Sequence, residues 1–167
     1  MRVPELQSED RIRALPCWNG SIDIVSLKGG LSNESHKVTD ATGEHVVRFG
    51  KDYPFHHVYR ERELMTARAA HAAGFAPEIR YAEPGVMVSA FINGKTYDAS
   101  DVRQNSSRIA KLVSGFHTNM PAHVTGAGFM FWVFHVIRDY ARTLEGAGSS
   151  WRKELPGYLK LNAELEA

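Results

Sequence analysis

The chain has 167 residues, 43% of them apolar, with 20 Lys or Arg against 19 Asp or Glu. That length fits one ordinary domain and that apolar share allows a packed core, which excludes a disordered chain. Near-neutral charge without a basic run excludes a polyanion-binding protein, and Cys17, the single cysteine, excludes an internal disulfide or a thiolate metal cluster.

The N-terminal stretch from Met1 to Pro16 is charged and lacks a signal-like apolar segment. The most apolar run, Phe129 to Ile137, falls far short of the roughly 20 residues that cross a bilayer. These features predict a soluble, cytoplasmic protein with neither nucleic acid nor membrane as partner; they leave its oligomeric state open.

Along the chain, Ile22 to Leu27 alternates as a strand and a glycine pair follows at once. Ser35 to Thr39 and His45 to Phe49 are two more short, valine-rich strands, joined across Asp40-Ala41-Thr42-Gly43, where Gly43 is free to take positive φ. Val58 to Ala73 is rich in Ala, Leu, Met, Glu and Arg and predicts a helix, with Glu61 and Glu63 near its positive end. Gly74 ends it and Pro77 prevents resumption. Glu78 to Ala82 and Val86 to Ile92 follow as strands across Glu83-Pro84-Gly85.

From Asn105-Ser106-Ser107 onward the pattern is helical. Ile109, Leu112, Val113 and Phe116 form one apolar stripe, and Val133, Val136, Ile137, Tyr140 and Leu144 form another. In the last segment, Leu155 to Leu165, the residues expected to be buried are Tyr158, Leu159 and Leu165. Strands first and helices after predict an α+β fold: a mostly antiparallel five-stranded sheet plus one helix, followed by helices.

Four segments could carry chemistry. In Leu27-Lys28-Gly29-Gly30-Leu31-Ser32-Asn33-Glu34-Ser35, two adjacent glycines let backbone N–H groups approach an anion, although a plain glycine hairpin has the same pattern. Arg48, in Val46-Val47-Arg48-Phe49, is a cation one hairpin later that could reach phosphates, although most strand cations simply face water. Arg60-Glu61-Arg62-Glu63 offers a helix carboxylate to hold such a cation; spacing does not choose between Glu61 and Glu63, and a solvated charged face accounts equally well for Arg60 and Arg62. Val88-Ser89-Ala90-Phe91-Ile92-Asn93-Gly94, where the strands end, could present its backbone to a purine edge. The four come in the order that a kinase-like small lobe requires.

Gly29-Gly30-Leu31-Ser32-Asn33 resembles the glycine loop of the choline/ethanolamine kinase family, within the wider aminoglycoside-phosphotransferase and protein-kinase-like group. Val47-Arg48-Phe49-Gly50 is similar to that family's third strand. Arg60-Glu61-Arg62-Glu63, Ala69-Ala70 and Gly74-Phe75-Ala76-Pro77-Glu78 resemble its following helix and turn, and Ile109 to His117 a later helix. The resemblance implies a nucleotide-binding N-lobe over residues 1–92 and the start of a helical C-lobe over 93–167. It implies ATP contacts at Gly29, Gly30, Leu31, Ser32, Asn33 and Arg48, with Glu63 pairing Arg48 (Glu61 in reserve) and the backbone near Ser89 and Phe91 holding adenine. It also implies transfer of phosphate from ATP, with Mg2+, to a small alcohol. A choline-like acceptor is favoured; ethanolamine and thiamine remain open.

The family's catalytic loop, of form H-x-D-x-x-x-x-N, and the later magnesium-binding acid have no match here. No histidine is followed two residues on by aspartate. The chain alone is therefore expected to be inactive, truncated before the catalytic residues and magnesium ligands. The alternatives are a non-catalytic nucleotide-binding or regulatory module and a half-enzyme completed by a partner chain; an exposed apolar face on the last helices is the mark of the latter. Phe129, Phe131, Trp132 and Trp151 could form an aromatic cage for a quaternary ammonium, but at helical spacing they are expected in the core.

Overall fold

The computed structural model describes residues 8–27, 34–127 and 129–167, in two compact units, Met1–Gly126 and Ala127–Ala167. The first unit opens with α1 (Ser8–Arg13). The strands are β1 (Asp23–Leu27), β2 (Glu34–Asp40), β3 (Gly43–Phe49), β4 (Ile79–Glu83) and β5 (Val86–Ala90). Helix α2 (Arg60–Ala72) lies between β3 and β4 in sequence, and α3 (Ala99–Gln104) and α4 (Ser106–Asn119) come after the strands. The sheet runs β1-β2-β3-β5-β4 with every pair antiparallel. The α+β architecture is as the sequence predicts.

Strand alternation gives the sheet two different faces. Opposed residues share a face, so Ile24 beside Val38, Val38 beside His45, and Val47 beside His36 and Val88 all lie on one side. Ile12 and Leu15 pack with Val38, Val47, Phe49, Val86 and Val88, and Trp18, Ile22 and Tyr81 fill the edge of this core. Each fully buried valine contributes about 1.5–3 kcal/mol over an exposed one. Trp18 Nε1 donates to Ile12 O at 2.6 Å and ties α1 to the chain below it. The N-terminal helix was not anticipated: at six residues it is too short to show a period.

The β2–β3 turn is locked by a carboxylate. Asp40 Oδ1 accepts from Thr42 N at 2.8 Å and Thr42 Oγ1 at 2.6 Å, while Oδ2 accepts from Asn19 N at 2.9 Å. His45 Nε2 lies 3.0 Å from Oδ1, and an ionised carboxylate only accepts, so that nitrogen carries the proton. Gly43 completes the turn at φ +132°.

Helix α2 ends with a paired C-terminal motif: Phe75 N donates to Ala70 O at 2.8 Å and Gly74 N to His71 O at 2.9 Å, with Gly74 at φ +82°. Phe75 then meets the Phe116 ring edge-on, with centroids 5.6 Å apart. Ile109 of the predicted α4 stripe is half-buried, whereas Leu112 and Val113 are exposed. The helical region also starts earlier than expected. Asp98 accepts from the amides of Ser100 and Asp101, and Asp101 accepts in return from the Asp98 amide, a capping box that opens α3.

The second unit contains α5 (Val133–Gly146) and α6 (Leu155–Glu166). Glu166 accepts from Arg138 and from Trp132 Nε1, and these donors hold its carboxyl down to about 2. Val136, Ala141, Leu155 and Asn162 are the buried residues of these two helices. Of the residues expected to be buried in α6, Leu159 is half-buried, whereas Tyr158 and Leu165 are exposed. Phe129, Phe131, Trp132 and Trp151 are likewise exposed rather than in a core. No helix among the described residues is long and apolar enough to cross a membrane.

The hydrogen bonds from Thr42, from the Asn19 amide and from His45 hold the Asp40 carboxyl well below the usual carboxylate range. A carboxyl depressed by folding stabilises the fold above the unfolded-state pKa, and that contribution is lost as pH falls through the folded value. Asp40→Ala is expected to lower the thermal midpoint at pH 7, and the gap from the natural chain should narrow at pH 3. Thermal unfolding at both pH values checks this; an equal gap at each would mean that the charge is not the cause.

Candidate functional site

Arg48 sits on β3 between Val47 and Phe49, both buried on the core side, so alternation turns it to the opposite face. Its register neighbours are Ser35 on β2 and Met87 on β5. There Arg48 Nη2 meets Glu63 Oε1, and both side chains are 29% exposed. Glu63, rather than Glu61, is the carboxylate that reaches the strand cation.

The same carboxylate has a second partner. Glu63 Oε2 accepts from Arg60 Nη1 at 2.6 Å, one turn back on α2. Arg60 Nε donates to Lys51 O at 2.9 Å, and the Arg60 amide donates to Asp52 Oδ1 at 2.8 Å. Tyr59 at the helix start makes no side-chain cap, so Asp52 satisfies that end from the preceding loop. Arg60 is only 15% exposed in its side chain, and its Nη2 is buried with no hydrogen-bond partner. It is therefore not part of a solvated charged face. The Arg60–Glu63 spacing, i and i+3, was the signal available for this pair in the sequence.

These groups line an open concavity of ≈ 1090 Å³ that also takes in Lys51, Glu61, Pro84 and Met87. The β4–β5 turn closes against the exit of β3, where Gly50 N donates to Gly85 O at 3.0 Å. Gly85 is at φ +79°, and a Cβ there would stand 3.1 Å from Gly50 O, so the contact needs glycine.

Ser89 lies on the same face as Arg48, opposite Val46 and Ile79. Phe91 follows β5, and its amide donates to Glu44 O at 2.9 Å. That N–H is thus engaged by β3, and Ile92 and Asn93 follow it past the strand end. Lys37 stands 4.4 Å from the centroid of the Phe91 ring. Gly29, Gly30, Leu31, Ser32 and Asn33 lie outside the described residues. Among the described residues no group of three or more His, Cys, Asp or Glu could hold a metal ion.

What the Arg48–Glu63–Arg60 triad can do chemically is present fixed positive charge, in a concavity whose lining also carries Glu34, Asp52, Glu61 and Glu83. Two guanidinium groups share one carboxylate, which leaves an excess cation within that triad, aligned by hydrogen bonds rather than free in water. A phosphate oxygen suits such a group, because planar guanidinium donors match it in geometry and charge.

No family model matches the chain. Its sequence is 27% identical over 111 residues to a probable ethanolamine kinase of Arabidopsis thaliana, a match covering 65% of this chain and 29% of that protein. The solved ethanolamine kinase of Plasmodium vivax shares the fold at a TM-score of 0.59 and 19% identity, over 76% of this chain and 38% of the other. The choline kinase of Cryptosporidium parvum does so at 0.68 and 17%, over 87% and 44%. The chain spans less than half the length of each of these relatives. The chain is thus similar in sequence to a probable ethanolamine kinase and shares the fold of the two solved kinases, over the part of its length that each match covers.

Proposed function

We propose that this chain carries the nucleotide-binding part of an ATP-dependent phosphotransferase that acts on a small, choline-like alcohol. The observation that carries the proposal is the Arg48–Glu63 ion pair, set on the face of the sheet away from the core. The concavity beside it exceeds the roughly 300–1,000 Å³ typical of small-molecule sites, so a nucleotide fits. In this assignment Arg48 binds a phosphate oxygen, Glu63 holds Arg48 in place, and the glycine loop from Gly29 to Asn33 covers the phosphates. The strand end around Ser89 and Phe91 forms the adenine wall, with the Ile92 and Asn93 amides placed to meet a purine edge. Residues 1–92 then act as the nucleotide lobe and 93–167 as the start of the helical lobe.

Phosphoryl transfer depends on positioning and on stabilising charge at the moving phosphoryl group, which Arg48 serves. Magnesium, when bound with ATP, neutralises phosphate charge; acids outside those described here would have to hold it. The acceptors named for the relatives, ethanolamine and choline, motivate the alcohol assigned to this chain, with thiamine as a further candidate. A half-enzyme completed by a separate chain is a second possibility, supported by the exposure of Phe131, Leu161 and Leu165 in the last unit.

Arg48→Ala should weaken ATP binding about 10- to 100-fold, the worth of one charge-assisted hydrogen bond. Glu63→Ala should weaken it less, by freeing Arg48, while adenosine affinity stays constant in both. Titration calorimetry with the 167-residue chain measures all three; unchanged ATP affinity in both variants would show that the phosphate site is misplaced.

The same chain, supplied with ATP, Mg2+ and choline or ethanolamine, should form no ADP above the blank. Sustained choline- or ethanolamine-dependent ADP release would show that a complete catalytic set is present after all.

A further inference from the structure

We infer that Arg60 is a positioning residue, which fixes Arg48 through the carboxylate of Glu63 and so sets how the β3 cation meets phosphate. The inference rests on the nucleotide-site assignment above and extends it to a residue for which a solvated, charged helix face was the other reading.

The geometry is a chain of contacts. Lys51 O receives Arg60 Nε, Arg60 Nη1 reaches Glu63 Oε2, and Glu63 Oε1 reaches Arg48 Nη2. A planar guanidinium gripped at Nε and Nη1 has its plane fixed, because the two donors are rigidly related. With Oε2 held in this way, the Glu63 carboxylate cannot rotate to offer both oxygens to Arg48. Arg48 is therefore engaged through one donor, and the rest of its fork is left for a ligand. Without Arg60 the carboxylate is free to take Arg48 in a two-pronged pair, the geometry that Arg and carboxylate favour, in competition with phosphate. Arg60 also ties the β3 exit segment at Lys51 to the first turn of α2, so strand cation and helix acid keep one spacing. Burial supports this role: the Arg60 side chain is 15% exposed, and its Nη2 is shielded from water.

Side-chain substitution leaves the Arg60 amide bond to Asp52 intact, so α2 keeps its start and the variants should fold. Two measurements on the 167-residue chain test the role. In the first, without ligand, the guanidinium ¹⁵N signals of Arg48 are compared between the natural chain, Arg60→Ala and Arg60→Lys. They should shift and change their rotational broadening in Arg60→Ala, and Arg60→Lys should fall between, having charge but no fork. Identical Arg48 signals in all three would overturn the inference.

In the second, Arg60→Ala should weaken ATP binding about fivefold with adenosine unchanged, and the effect should vanish in an Arg48→Ala background, as it does for residues acting through one another. Equal losses in both backgrounds would mean that Arg60 acts independently of Arg48, against the inference. If Arg48→Ala itself leaves ATP affinity unchanged, the nucleotide-site assignment fails, and the ligand-free spectra still decide whether Arg60 governs Arg48.

Discussion

One carboxylate, Glu63, joins three parts of the chain: Arg48 from β3, Arg60 from the first turn of α2 and, through Arg60, the backbone of Lys51 in the loop between them. Half-buried charges stay in place only when paired, because an isolated one would be pulled toward water or would lose its charge. Pairing here is reciprocal. Glu63 is held because two cations need it, and Arg48 keeps its orientation because Glu63 has no freedom to turn. The triad is a device for specificity of geometry more than for stability, since exposed or half-exposed ion pairs contribute little free energy.

That device works because the sheet behind it does not move. Val47 and Phe49, on either side of Arg48, are buried in the core with Ile12, Val38, Val86 and Val88, so β3 cannot slip by one residue without turning Arg48 inward and the valines out. The far end of the same hairpin is held by Asp40, whose oxygens satisfy Asn19, Thr42 and His45. Strand register is thus fixed at both ends of β3, by hydrogen bonding at the turn and by apolar packing beside the cation. The candidate site inherits its precision from a core on the other face of the sheet.

The sequence made the strands, the turn at Gly43, the stop at Gly74 and the Arg48–Glu63 partnership legible, because each depends on local pattern: alternation, positive φ, helix punctuation, or spacing matched to a family motif. The Arg60–Glu63 spacing was visible, but the hold of Lys51 O on Arg60 was not legible, because only the fold brings the loop before α2 within reach of that side chain. His36 and His45 were missed as buried residues for a similar reason, since a polar side chain at an inward strand position is visible only once its partner is known. In the last helix Tyr158 and Leu165 were expected to be buried and are exposed, because an apolar residue in a sequence says nothing of what lies against it.

Those exposed faces distinguish the two units by how much apolar surface each buries. The first unit has its own core, on the face of the sheet opposite Arg48 and Glu63. The second, Ala127–Ala167, is about the size below which a chain rarely buries enough surface to offset its conformational entropy. It exposes Met130 by 84%, Phe131 by 70% and Leu165 by 67%. Polypeptide packed on those side chains would gain the apolar burial that this unit lacks.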